Sequence, residues 1–177
     1  VRRKMGRRGD WILRSKGVDK DEFRIGEAGK SWEDENGTKF LKEAGLKLPK
    51  ILKDMLVKLM EKAGWDKKRC AQIQTVGVIH AGLMIMMVYL DNPKGYICRL
   101  RRSRLMEVPN DEENFSDVLE ILASALNVKA AVREMMNAVY TNKQPHKSFK
   151  TAEPFKRPDD DNKHRIFPCF DTPKAKV

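Results

Sequence analysis

The sequence predicts an all-α fold, a compact helical bundle with a basic N-terminal arm and an extended, proline-containing C-terminal tail. Two observations favour this fold class. Apolar residues recur at intervals of three and four in several segments, which is the period of an amphipathic helix. Residues 70–90 also carry no formal charge, which suits a helix at the centre of a bundle. The predicted boundaries are 1–30 for the arm, 31–141 for the helical domain and 142–177 for the tail.

The clearest predicted helix runs from Leu48 to Ala63. Pro49 suits the first helical turn, and Gly64 suits the position just after a helix end. The apolar residues of this segment form one stripe for a core, while lysines occupy the opposite side. A shorter helix is expected just before it, over residues 38–44.

The uncharged run of residues 70–90 is predicted to be the central core helix. Its length also fits a membrane span, but Gln72, Thr75 and His80 interrupt it, and only residues 81–90 are wholly apolar. We therefore expect a buried helix of a bundle. His80 is then expected to be a hydrogen-bonded core residue, because no serine or cysteine lies at a spacing that would make it a catalytic base.

The rest of the chain is predicted from weaker signals. Residues 91–95 contain Pro and Gly and are expected to form a turn. Residues 96–108 fit either a strand or a helix, and we favour a helix. Two further helices are expected over residues 114–126 and 128–140. Beyond them, the tail contains five prolines and little periodic apolar content, so it is expected to be extended or disordered and to lack its own core.

Positive charge is concentrated in two clusters of a chain whose formal net charge is +11. Residues 1–30 carry ten bases against five acids, and residues 93–105 carry five bases and no acid. Residues 106–126 carry six acids and no base. Clustered Lys and Arg are typical of surfaces that bind polyanions, because their approach to phosphates releases counterions. A simpler interpretation, that the clusters only keep the chain in solution, stays open.

The sequence therefore predicts a non-enzymatic binding or assembly protein that associates with nucleic acid, with RNA favoured. Arginines would contact phosphate, and Trp11 would stack on a base. The predicted nucleic-acid-binding residues are Arg2, Arg3, Arg7, Arg8, Trp11, Arg14, Arg99, Arg101, Arg102 and Arg104. An alternative for the four mid-chain arginines is internal pairing with acids of residues 107–120.

Two other functions are also consistent with the sequence. In the first, the chain is a protein-interaction adaptor or regulator that uses an aromatic tail and a Met-rich helical groove, or a face for self-association. The methionines in question are Met84, Met86, Met87, Met135 and Met136. In the second, a matrix-like assembly protein holds its basic surface on anionic lipid.

No catalytic, metal or cofactor site is predicted. Residues 26–31 resemble a phosphate-binding loop, but Arg24 stands where that motif requires its first glycine. The three cysteines, Cys70, Cys98 and Cys169, form no C-x-x-C pair, so neither a zinc site nor a disulfide framework is expected. A chain with reduced cysteines is expected to be intracellular, in the cytoplasm or the nucleus.

Overall fold

The computed structural model describes residues 9–16, 20–29 and 43–140, together with Ile166 and Cys169. Within these residues the chain forms a mixed α/β fold with a six-stranded sheet, so the predicted all-α bundle is wrong. The strands are β1 (Trp11–Arg14), β2 (Glu22–Gly29), β3 (Gln74–Ala81), β4 (Met84–Lys94), β5 (Ile97–Arg102) and β6 (Met106–Glu107). The α-helices are α1 (Leu48–Lys62), α2 (Lys67–Cys70) and α3 (Phe115–Tyr140), and a π-helical turn, Glu43–Lys47, leads into α1.

Five strands form one continuous path in the order β1-β2-β3-β4-β5, and β6 pairs with β4. β2 and β3 are parallel, whereas the other neighbouring pairs are antiparallel. A parallel pair needs a crossover connection, and α1 and α2 lie within it. β1 and β5 are therefore the two ends of this path.

The uncharged run of residues 70–90 is mainly a β-hairpin, so the predicted central helix is wrong. β3 and β4 pair antiparallel with Val78 opposite Met87, and Gly82 lies in the turn at a positive φ of 58°. A strand that is buried on both faces is apolar at nearly every position, so it lacks the alternation of a half-exposed strand. His80, expected in the core, is exposed on β3.

One face of the sheet is covered by α1. This helix confirms the prediction for residues 48–63, and its apolar stripe is buried in the core. Leu48 lies directly over Gly77, where a Cβ would be 2.8 Å from the leucine Cδ2. Thr75, on the same face, is buried and donates from Oγ1 to the Leu52 carbonyl at 3.0 Å. The close approach of α1 to β3 therefore depends on a glycine.

The opposite face is covered by α3. Ser124 Oγ in α3 lies 3.5 Å from Met106 Sδ, and Met106 pairs with Ile85 in β4. Ile85 and Val88 are three positions apart, so their side chains point to opposite faces of the sheet. Val88 lies opposite Gly77 and so faces α1. The sheet is therefore enclosed between α1 and α3, which explains why both faces of its central strands are apolar.

The Arg69 side chain in α2 forms hydrogen bonds to the C-terminal ends of both α1 and α3. Its Nε donates to the Ala138 carbonyl at 2.8 Å and its Nη2 to the Val139 carbonyl at 2.7 Å. Its Nη1 donates to the Ala63 carbonyl at 3.0 Å. These carbonyls lie at the C-terminal ends of α3 and α1, where no helical N–H is left to pair with them.

Three further predictions about elements are resolved. The helix favoured over residues 96–108 is wrong, because β5 and β6 occupy this segment. The two helices predicted over 114–126 and 128–140 are one helix, α3. The short helix expected over 38–44 falls mostly outside the described residues. Among the helices that the structure describes, none has the length and hydropathy needed to cross a bilayer.

Parts of the predicted arm and tail belong to the α/β fold or contact it. β1 and β2 belong to residues 1–30 and are strands of the sheet. In the tail, Ile166 is buried in the core, and the Cys169 N–H donates to Asp54 Oδ1 at 2.8 Å. The domain boundaries at residues 30 and 141 remain predictions.

Candidate nucleic-acid interface

The structure places six of the ten predicted binding residues, and it separates them into two groups. Trp11 and Arg14 lie on β1, at one end of the sheet, and the four mid-chain arginines lie on or just after β5, at the other end. Four strand spacings separate these ends, which is about 19 Å. Arg2, Arg3, Arg7 and Arg8 lie outside the described residues.

Trp11 forms a stack with Arg24, a residue of β2 that the sequence did not indicate. The Arg24 guanidinium carbon lies 5.0 Å from the centroid of the Trp11 ring, which is a cation–π distance. Trp11 pairs with Gly26, and a Cβ on Gly26 would lie 1.9 Å from the indole Cε2. The ring can therefore lie flat only because residue 26 has no side chain. Trp11 is nevertheless 40% exposed.

Arg24 is a half-buried cation with no acidic partner in the described part of the chain. Burial lowers its pKa, although an arginine keeps its charge at neutral pH. Its Nε is buried and donates to no acceptor in the structure as described. Arg24 stacks on Trp11, and Tyr89 lies close enough to affect its pKa. Among the described residues, no carboxylate offsets the charge of Arg24.

Arg14 is paired within its own hairpin. Its Nε and Nη2 donate to Glu22 Oε1 at 3.0 and 2.9 Å. This ion pair joins β1 to β2 and offsets the arginine charge. The charge of Arg14 is therefore offset within the hairpin, whereas Arg24 has no carboxylate partner among the described residues.

On β5, two arginines share one carboxylate. Arg99 donates from Nε and Nη2 to the two oxygens of Asp91, at 3.1 and 2.7 Å. Arg101 Nη2 donates to the same Asp91 at 3.3 Å and to Gln74 Oε1 at 3.0 Å. The hydrogen bond to Asp91 raises the pKa of Arg99. Because both arginines are half-exposed and share a single acid, this edge keeps a surplus of positive charge.

Tyr89 lies between Arg24 and Arg101 in one row of residues that crosses the sheet from β2 to β5. In the strand register, Arg24 lies opposite Val76, Val76 opposite Tyr89, and Tyr89 opposite Arg101. The Arg101 guanidinium lies 5.8 Å from the Tyr89 ring centroid. Burial raises the pKa of Tyr89, while Arg24 and Arg101 both act to lower it. The phenol therefore stays neutral between two cations at physiological pH.

Arg102 and Arg104 have partners of their own, away from Asp91. Arg102 Nη2 lies 3.4 Å from the Ala44 carbonyl, near the start of α1, and Arg104 forms an ion pair with Glu120 of α3. Of the four mid-chain arginines, Arg104 is the one that the described structure pairs with an acid of residues 107–120. The structure therefore brings together Arg99 and Arg101 and leaves the other two apart.

Three residues of the interface were missed by sequence reasoning: Arg24, Tyr89 and Asp91. Residue 89 falls in the predicted core helix and residue 91 in the predicted turn. For these two residues, the signal is the alternation of apolar residues after residue 95, which fits a strand antiparallel to residues 84–94. That pairing places Tyr89 and Asp91 beside arginines.

The methionines proposed to line a groove are mostly core residues. Met86, Met87 and Met135 are buried, while Met84 and Met136 are half-buried. Unbranched, polarisable side chains fill the irregular spaces between the helices and the sheet. Nothing in their placement in the described structure forms an open Met-rich surface.

Comparison with protein-family models, curated proteins and solved structures finds no match to this chain. The chemistry of the interface therefore follows from its geometry and charge. An exposed indole offers a flat surface for a nucleobase, and guanidinium groups donate hydrogen bonds to phosphate oxygens. The exposed indole and one guanidinium group lie at the β1 end of the sheet, and two further guanidinium groups lie at the β5 end.

Proposed function

We propose that this chain binds nucleic acid, with single-stranded RNA favoured, and that it acts without catalysis as a binding or assembly protein. The single observation that carries the proposal is the stack of Arg24 on the exposed Trp11. The stack holds the ring at the surface and places beside it a positive charge that has no carboxylate partner among the described residues. A ligand that stacks a base on the ring and places a phosphate against the cation is a nucleotide.

The charge of the chain supports the same partner. The formal net charge is +11, and the edge at β5 presents Arg99 and Arg101 with one shared acid. Such an edge attracts a polyanion over distances of about a Debye length, roughly 8 Å at physiological salt. A single strand is favoured over a duplex because an indole stacks only on a base whose face is free.

The contribution of the ring can be measured with Trp11→Ala, using a fluorescently labelled oligouridylate as the probe. Stacking of one base contributes about 1–3 kcal/mol, so affinity should fall by about 5- to 150-fold. Leu13→Ala is the matched control, because Leu13 lies on the same strand, two positions along, and is also exposed. Equal affinities for the two variants would contradict a stacking role for Trp11.

The contribution of the β5 edge can be measured from the salt dependence of binding. Replacing Arg99 and Arg101 by Gln should reduce the slope of log affinity against log salt by about 1.4, since each contact to a single strand adds about 0.7. The control replaces Lys67 and Lys68 by Gln, which removes the same charge from the exposed surface of α2. Equal reductions in both variants would mean that net charge alone attracts the probe. No binding of the parent protein at low salt would refute the proposed function.

A further inference from the structure

The N-terminal half of α3 carries an apolar stripe that faces solvent. Its residues are Phe115, Leu119, Leu122 and Leu126. Each of them is between 51% and 64% exposed. They follow one another in steps of four, three and four residues, which is the spacing of a coiled-coil seam. The other side of the helix, which includes Val128, packs on the core, and the stripe takes no part in the core formed by the described residues.

The two ends of the stripe carry opposite charge. Glu112 and Glu113 precede it in the turn before α3, and Lys129 and Arg133 continue its spacing beyond Leu126. All four side chains are exposed. No ion pair involves any of them within the described ranges. An apolar centre with one acidic and one basic end is complementary to itself when it is turned end for end.

We propose that this surface, the α3 stripe, binds the α3 stripe of a second copy of the chain in antiparallel orientation. A two-fold axis between Leu119 and Leu122 places Phe115 opposite Leu126 of the other copy. The same axis places Glu112 opposite Lys129, and every contact occurs twice.

Charge selects this orientation over a parallel one. A parallel pair would also join the leucines, but it would place Lys129 beside Lys129 and Glu112 beside Glu112, where like charges repel. The seam from Phe115 to Leu126 spans about 17 Å of helix. So short a seam buries little area, and we expect a dissociation constant of about micromolar. The inference is independent of nucleic-acid binding.

The test is the mass of the full-length, nuclease-treated protein by sedimentation equilibrium over about a hundredfold range of concentration. The parent protein should pass from monomer to dimer as concentration rises. Leu122→Glu should remain monomeric, because two charges would meet in the apolar seam. Leu83→Glu is the control, since Leu83 is exposed on the turn between β3 and β4 and lies off the stripe. It should dimerise like the parent.

Charge exchange tests the orientation with variants that keep the apolar stripe. Lys129→Glu and Glu112→Lys should each weaken the dimer, and the double variant should restore it. Restoration is expected only if the two positions face each other across the axis. A double variant as weak as the single ones would overturn the antiparallel arrangement.

Three results would overturn the proposal as a whole. One is a monomer mass at every concentration, and another is a dimer that survives Leu122→Glu. The third is a large fall in melting temperature for Leu122→Glu while the parent stays monomeric, which would show that the stripe is covered by the chain itself. Melting curves of all variants, followed by circular dichroism, distinguish this last case from loss of a dimer.

Discussion

The contact between Gly77 and Leu48 allows the packing of α1 on β3 to be tested by a double-mutant cycle. Gly77→Ala would add a methyl group at 2.8, 2.9 and 3.0 Å from Cδ2, Cδ1 and Cγ of Leu48. Leu48 is fully buried, so it cannot turn into solvent to make room. Overpacking of a core costs about 1–3 kcal/mol. Replacing Gly by Ala in a strand stabilises it by about 0.5–1 kcal/mol, so a net loss of about 0–2.5 kcal/mol is expected.

Leu48→Ala alone leaves a cavity and should cost about 2–5 kcal/mol. In the double variant the added methyl group enters that cavity, so the two losses should not add, and the coupling should be about 0.5–3 kcal/mol. Urea unfolding of the four proteins, followed by circular dichroism, gives this coupling. Gly45→Ala is the control partner, because its added Cβ would have no heavy atom within 4 Å beyond the adjoining stretch of its own chain. Additive losses for Gly77→Ala with Leu48→Ala would refute the placement of α1 over β3.

Arg69→Lys should lower the free energy of unfolding by about 1.5–3 kcal/mol, because an ammonium group cannot reach the three carbonyls that the planar guanidinium joins. Thermal unfolding measures the loss, and Lys68→Ala, a change at an exposed neighbour, should leave stability unchanged within about 0.5 kcal/mol. In alkaline solution, burial raises the pKa of the Cys70 thiol above its ordinary 9.0. The neutral thiol is favoured in the folded state, so its contribution is complete below the unfolded pKa and is lost as pH rises through the folded pKa. Cys70→Ala should therefore show a shallower fall in stability above about pH 9, and parallel curves for the two proteins would contradict a titrating thiol.

The elements that sequence reasoning predicts well are those with one buried side. α1 has a single apolar stripe, Pro49 in its first turn and Gly64 after its end, and Gly64 has a positive φ of 70°. Local chemistry alone decides such a helix, because its period is visible and its ends are marked. α3 is predicted less well, because it is one helix where two were expected, and Leu119, Leu122 and Leu126 in its N-terminal half are exposed.

The central strands could not be predicted in this way, because their neighbours decide their pattern. β3 and β4 lie between α1 and α3, so both faces are apolar and a period of two is not visible. A continuous apolar run fits a buried helix and a buried strand equally well. Gly82, at a positive φ between the two strands, was the local signal for a hairpin. Gly82 indicates a hairpin only if the segments on either side of it are taken as strands of eight and eleven residues.

The candidate site shows why charge counted along the chain differs from charge in space. The window of residues 93–105 contains no acid, yet the β4–β5 hairpin folds Asp91 against both Arg99 and Arg101. Two arginines on one carboxylate still leave a positive edge, so the prediction of a basic surface remains reasonable there.

At the other end of the sheet, the fold adds a cation that the sequence did not indicate. Arg14, inside the predicted cluster, is paired with Glu22, whereas Arg24 has no carboxylate partner among the residues described. Pairing across strands therefore moves the cation that lacks a carboxylate partner among the described residues from β1 to β2, where the Arg24 guanidinium stacks on the ring of Trp11. An aromatic ring and a cation that are thirteen residues apart in sequence become one surface, and this surface, more than the number of arginines, is the feature that favours a nucleotide as the ligand.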